Sequence, residues 1–156
     1  MDLLTRLTRS AGILRIDGTS AAQKIPVTKE KTADYVLHSG ISCRVIYIES
    51  TVFTRRLHQL AGESAADVLS AIQADLLRDP LRGDLVRDLG GIRKARCFNP
   101  SRSKGKRGGY RYLFLYLEKR SHIHLLYLLD KGEQEDLSGA ERKALRALVS
   151  EIKKVK

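Results

Sequence analysis

The sequence predicts an α+β domain, a mostly antiparallel, twisted sheet with two helices ahead of its central strands and one helix after them. Three observations carry this reading. Strand-like runs follow one another through short links between Ile92 and Leu129, two apolar helical stripes precede them, and a capped amphipathic segment closes the chain. A length of 156 residues suffices for one core, and 42% hydrophobic with 30% charged residues is near the average for globular domains.

Residues 1–43 read as an N-terminal extension, weakly structured or partly disordered, ahead of a domain at residues 44–156. LLTRLTRSAGILRI is rich in Arg and poor in acid, like a transit leader, but lacks the long apolar core of a signal peptide. The polar run QKIPVTKEKTADY, broken by Pro26, follows it. Arg44 to Ile48 is β-branched and aromatic enough for a strand. Ser50 or Thr51 then caps a helix by accepting from its orphan N–H groups. Phe53, Leu57 and Leu60 fall at i, i+4 and i+7, one apolar stripe. A second helix runs from about Ser64 to Arg78 with Val68, Leu69, Ile72 and Leu76 inward, and Pro80 and Gly83 stop it.

GDLVRDLGG reads as a connector into the strand Ile92 to Phe98. Period 2 sorts Lys94 and Arg96 onto one face of that strand and Arg93, Ala95 and Cys97 onto the other. The next strand, Tyr110 to Leu117, turns Arg111, Leu113 and Leu115 one way and Tyr110, Tyr112, Phe114 and Tyr116 the other. A polar turn at Glu118 to Ser121 returns the chain as His122 to Leu129, completing a meander. Ser138-Gly-Ala-Glu141 is a capping box, followed by Leu145, Leu148, Val149 and Ile152 on one helical face. That helix covers a sheet face or binds a partner, and the arrangement places the helices to one side of the sheet.

Charge is concentrated at the centre of this pattern. Residues 91–120 hold ten of the 29 Lys+Arg and one of the 18 Asp+Glu, hence +9 of the formal +11. The stretch GGIRKARCFNPSRSKGKRGGYRYLFLYL sets two strands around a loop carrying Arg102, Lys104, Lys106 and Arg107 among glycines. So focused a field attracts a polyanion such as nucleic acid. For Lys94 and Arg96 two readings stand, a solvated sheet face or a phosphate site. For the loop they are an exposed basic segment or a grip on an RNA backbone. Tyr110, Tyr112 and Tyr127 either stack on bases or pack in the core. His122 and His124 share a strand face without an acidic or cysteine partner at a metal-binding spacing, so no metal and no cofactor is expected. Cys43 and Cys97 form neither a disulfide framework nor a zinc motif, and read as thiols of a cytoplasmic protein. No apolar run reaches the roughly 18 residues of a spanning helix, so no membrane is expected as a partner.

From about Arg44 onward the chain resembles the RelE superfamily of bacterial type II toxins, and within it the HigB branch. The resemblance lies in YIESTVF, GDLVRDLGGIRKAR, KGKRGGYR, LLYLLDKGEQEDL and SGAERKAL. It implies a small RelE-like domain acting as a ribosome-dependent mRNA endonuclease that inhibits translation. It also implies neutralisation by a cognate helix-turn-helix antitoxin, through which alone operator DNA is bound. Lys94 and Arg96 match two basic catalytic positions, Arg111 matches the arginine on the scissile phosphate, and Lys131 stands near a further basic position. Arg93, Arg102, Lys104, Lys106, Arg107 and Tyr112 are then the candidate RNA and ribosome contacts. A family tyrosine near the C terminus that takes part in proton transfer has no counterpart in GEQEDL.

RNA carries its own nucleophile, the 2′-OH, and preorganised cations stabilise the charge that builds on the attacked phosphorus. Lys94, between Arg93 and Arg96, is the expected general base, while Arg96 and Arg111 offer fixed forks for phosphate oxygens. The alternative is a non-catalytic binding protein on the same scaffold, either a topoisomerase inhibitor or a basic nucleic-acid module.

Overall fold

The computed structural model describes residues 27–36, 42–100, 109–130 and 136–155, with side chains from Arg44 onward. Among these residues six strands form one mixed sheet in the order β1-β2-β6-β5-β4-β3. They are β1 (Val27–Val36), β2 (Ser42–Ser50), β3 (Asp84–Leu85), β4 (Arg93–Cys97), β5 (Tyr110–Leu117) and β6 (His122–Asp130). Among the described residues only β2 and β6 pair in parallel, and the other neighbours are antiparallel. The helices are α1 (Thr51–Ala61), α2 (Ala65–Arg78) and α3 (Gly139–Lys154). Among the described residues no helix is long and apolar enough to cross a membrane.

Local chemistry sets the helix ends as the sequence predicts. The Ser50 hydroxyl accepts from the Phe53 N–H at 3.1 Å and donates to the Leu126 carbonyl at 2.8 Å, so one side chain both caps α1 and ties it to β6. At α3 the capping box is complete, with the Glu141 N–H donating to Ser138 Oγ at 3.2 Å and the Ser138 N–H donating to Glu141 Oε2 at 2.7 Å. The Tyr127 hydroxyl donates to the other Glu141 oxygen at 2.8 Å, fastening the same cap to the sheet. Burial, and then the Glu141 carboxylate, push the Tyr127 hydroxyl up to about 12.

The helices lie on both faces of the sheet, which corrects the one-sided arrangement expected from the element order. One apolar cluster joins Phe53, Leu57, Val68, Ile72 and Leu76 of α1 and α2 to Tyr110, Tyr112 and Phe114. A second joins Leu145, Leu148, Val149 and Ile152 of α3 to Leu113, Leu115 and Leu129 on the opposite face. The physical reason is in β5, whose consecutive residues Tyr112, Leu113, Phe114 and Leu115 are apolar or aromatic on both faces and buried on both.

Two further features are not legible locally. In β5 and β6, Leu113 faces Tyr127 while Phe114 faces Leu125, so Leu126 is the extra residue of a bulge. Leu126 and Tyr127 therefore both turn toward α3, and Leu128 returns to the other side. At the far edge, β1 pairs with β2 from Val27↔Ser50 to Val36↔Ser42, so a strand lies within the segment read as an extension and the hairpin straddles residue 44. At the opposite edge, the connector GDLVRDLGG contains the short strand β3, in register with β4 through Asp84↔Lys94 and Leu85↔Arg93.

Candidate functional site

Strand alternation builds the site. On β4, Ala95 and Cys97 are buried against the α1–α2 face, which turns Lys94 and Arg96 the other way. On β5 the same rule, with Tyr110 and Tyr112 buried on the α1–α2 side, places Arg111 on the face of Lys94 and Arg96. Register then completes the arrangement, because Arg96 lies directly opposite Arg111. An open cleft of about 470 Å³ is lined by Lys94, Arg96 and Arg111 together with Arg82, Gly83, Asp84 and Ala95. Three of the four sequence-derived catalytic candidates thus share one concavity. The fourth, Lys131, and the loop cations Arg102, Lys104, Lys106 and Arg107 lie outside the described residues.

Arg82 is the cation that reading the chain missed. It belongs to the link after α2, and its guanidinium pairs with Asp75 of that helix at 2.5 Å. Gly83 makes the approach possible: at its φ of +77° a side chain is strained, and an added Cβ would meet the Lys94 carbonyl and lie 2.9 Å from the Ala95 Cβ. The signal was an arginine immediately before a glycine that turns toward a strand edge, but no spacing links it to Lys94.

Arg93, expected as an RNA contact, is hydrogen-bonded within the chain. Its Nε donates to the Arg82 carbonyl at 3.1 Å and its terminal nitrogen to the Gly83 carbonyl at 3.0 Å, so it pins the link that carries Arg82. The RNA contact expected of Tyr112 is corrected. Tyr112 is 0% exposed in the cluster beneath α1 and α2, its hydroxyl has no hydrogen-bond partner, and burial raises its pKa. A ring with no exposed face cannot stack on a base. Tyr110 and Tyr127 are buried as well, Tyr110 donating its hydroxyl to the Leu60 carbonyl at 2.8 Å.

An acidic group approaches the lysine end of the cleft from the segment just before α3. Asp136 lies 3.9 Å from the Lys94 ammonium and 3.1 Å from the Arg142 guanidinium. Its carboxyl is held below the usual carboxylate range, first by the Leu137 N–H that it accepts and then by Lys94 and Arg142. Asp84 faces Lys94 across the β3–β4 ladder. The cleft therefore joins four cationic side chains, two of them guanidinium forks directly opposite one another, with carboxylates at the lysine end. Such a site can bind a phosphate and oppose the charge that develops on it.

Cys97 is buried and unpaired, and burial, with the nearby Asp75 carboxylate, pushes its thiol up to about 12, which removes it as a nucleophile. His122 and His124 have ring centroids 6.2 Å apart. Among the described residues no group of three or more His, Cys, Asp or Glu side chains is placed to hold a metal ion.

No protein-family model matches the chain. Among solved structures it is similar to an arginine-to-alanine double mutant of the E. coli toxin RelE in the free state, with 13% identity and a TM-score of 0.43 over 70% of this chain and 96% of the RelE chain.

Proposed function

We propose that this chain is a RelE-type toxin, an endoribonuclease that cuts mRNA at the ribosome without a metal ion and so stops translation. The observation that carries this reading is the convergence of Lys94, Arg96 and Arg111 on one open cleft, since the sequence resemblance had singled out these three for one reaction. Arg96 and Arg111 hold the non-bridging oxygens of the scissile phosphate, and Arg82 adds charge at the rim. Lys94 takes the proton of the 2′-OH as that oxygen attacks phosphorus. The bond to the 5′-oxygen breaks and that oxygen takes up a proton, leaving a 2′,3′-cyclic phosphate and a 5′-hydroxyl. A helix-turn-helix antitoxin neutralises the toxin in the resting cell, and operator DNA is reached only through that antitoxin.

Asp136 favours a second reading. A lysine drawn toward a carboxylate, with no tyrosine counterpart nearby in the sequence, also suits a cleft that binds phosphate without cutting RNA. Primer-extension mapping of a translated message separates the two. Breaks within codons, unaffected by EDTA and ending in 2′,3′-cyclic phosphate, are expected of the enzyme. An intact message under full growth arrest would assign the binding role instead, and 5′-phosphate ends would refute 2′-OH attack.

A further inference from the structure

We propose that Phe98 is a base-stacking subsite beside the phosphate cleft, taking one unpaired nucleobase of a single-stranded RNA; the proposal rests on the nuclease reading and names the part of the substrate that the cations leave uncontacted. Phe98 is 48% exposed, whereas the tyrosines Tyr47, Tyr110 and Tyr112 are at most 1% exposed. The alternation that turns Lys94 and Arg96 outward continues past the end of β4, with Cys97 and Asn99 each 8% exposed on either side of it. Phe98 thus stands on the face of Lys94 and Arg96, two residues beyond Arg96, about 6.6 Å along the chain at the usual strand rise. An extended nucleotide spans that distance, so a phosphate at Arg96 and Arg111 brings an adjacent base to the ring.

Backbone segments approach closely there. An added Cβ on Gly109 would meet the Cys97 carbonyl and lie 3.9 Å from the Phe98 Cα, so the two ends of the basic loop close against each other at this residue. A hydrocarbon ring offers a base no hydrogen bond, so the subsite accepts any base and adds affinity and position rather than sequence choice.

The test exploits the absence of tryptophan from the chain. Phe98→Trp places a unique indole at the subsite. The full-length protein is titrated with a short 2′-O-methyl RNA, which binds but cannot be cut, with the same oligonucleotide lacking bases, and with inorganic polyphosphate. The indole emission is expected to be quenched by the base-bearing strand and unmoved by the other two. Phe98→Ala should weaken the base-bearing strand about 5- to 150-fold, the span of measured base–aromatic stacking, and leave the abasic strand unchanged. Phe98→Leu keeps apolar bulk without a ring and should resemble Phe98→Ala, which separates stacking from packing. Equal affinity of parent and Phe98→Ala for the base-bearing strand, with cleavage intact, overturns the subsite and leaves the nuclease reading in place. Binding of polyphosphate but of neither strand by the parent overturns both.

Discussion

Arg96→Ala sets function against stability with opposite signs. Arg96 is exposed and lies directly across the ladder from Arg111, and like charges directly opposite on neighbouring strands destabilise by roughly 0.2–1 kcal/mol. Removing one of them leaves no cavity, because the side chain is outside the core. The expected stability change is therefore between zero and about 1 kcal/mol in favour of the variant, a rise of at most about 4 °C in Tm for a domain of this size. The gain should shrink in high salt, which already screens the repulsion. If Arg96 holds a phosphate oxygen as negative charge accumulates, the same change should slow single-turnover cleavage about 10²- to 10³-fold, the usual cost of one such donor. Arg96→Lys keeps the charge but not the planar fork, and should fall between parent and Arg96→Ala. The assays are thermal unfolding at two ionic strengths and cleavage of a translated message at saturating protein. A Tm lowered by several degrees with cleavage unchanged would refute the reasoning, since Arg96 would then be a structural cation.

Three further outcomes are expected. His124 is 8% exposed with its Nε2 buried and without a hydrogen-bond partner, and burial, with His122 and Arg120 nearby, lowers its pKa from 6.5 to about 4. The unfolded chain binds the extra proton between these values, so His124 contributes full stability above pH 6.5 and loses it as pH falls toward 4, up to about 3 kcal/mol; urea melts of His124→Leu should be flatter across that window. Glu141→Ala removes the acceptor of both the Ser138 N–H and the Tyr127 hydroxyl, and should cost about 2–4 kcal/mol in urea melts, of which adding Tyr127→Phe should recover about 1 because no hydroxyl is then stranded. Deleting residues 1–41 takes away β1 and bares the edge of β2, so a lower Tm and concentration-dependent association by light scattering are expected. A monomer of parental stability would instead make residues 1–43 the dispensable extension that their composition suggests.

Much of the candidate site was written in short-range pattern. Lys94 and Arg96 are two residues apart with Ala95 between them, and that period alone puts them on one face. Arg82 and Asp136 were invisible for a different reason. Arg82 shares a cleft with Lys94 and Asp136 lies 3.9 Å from it, each from another part of the chain, and nothing within a window of ten residues encodes that meeting. Tyr112 misled because period 2 gives a strand face without saying what covers it.

By itself the sequence determined whatever depends on neighbours along the chain. Ser50 and Ser138 start their helices through a hydroxyl three residues from the amide it serves, and the buried stripe of each helix follows from the 3.6-residue period. The limits of β5 followed in the same way from an eight-residue run between glycine and a polar turn. Only the tertiary structure decided that β2 and β6 lie side by side in parallel, that β1 closes the edge of β2, and that α3 lies across the sheet from α1 and α2. Those choices belong to contacts between residues far apart in sequence. Their free energy comes from burying both apolar faces of β5 and β6 at once, and no local segment carries that information.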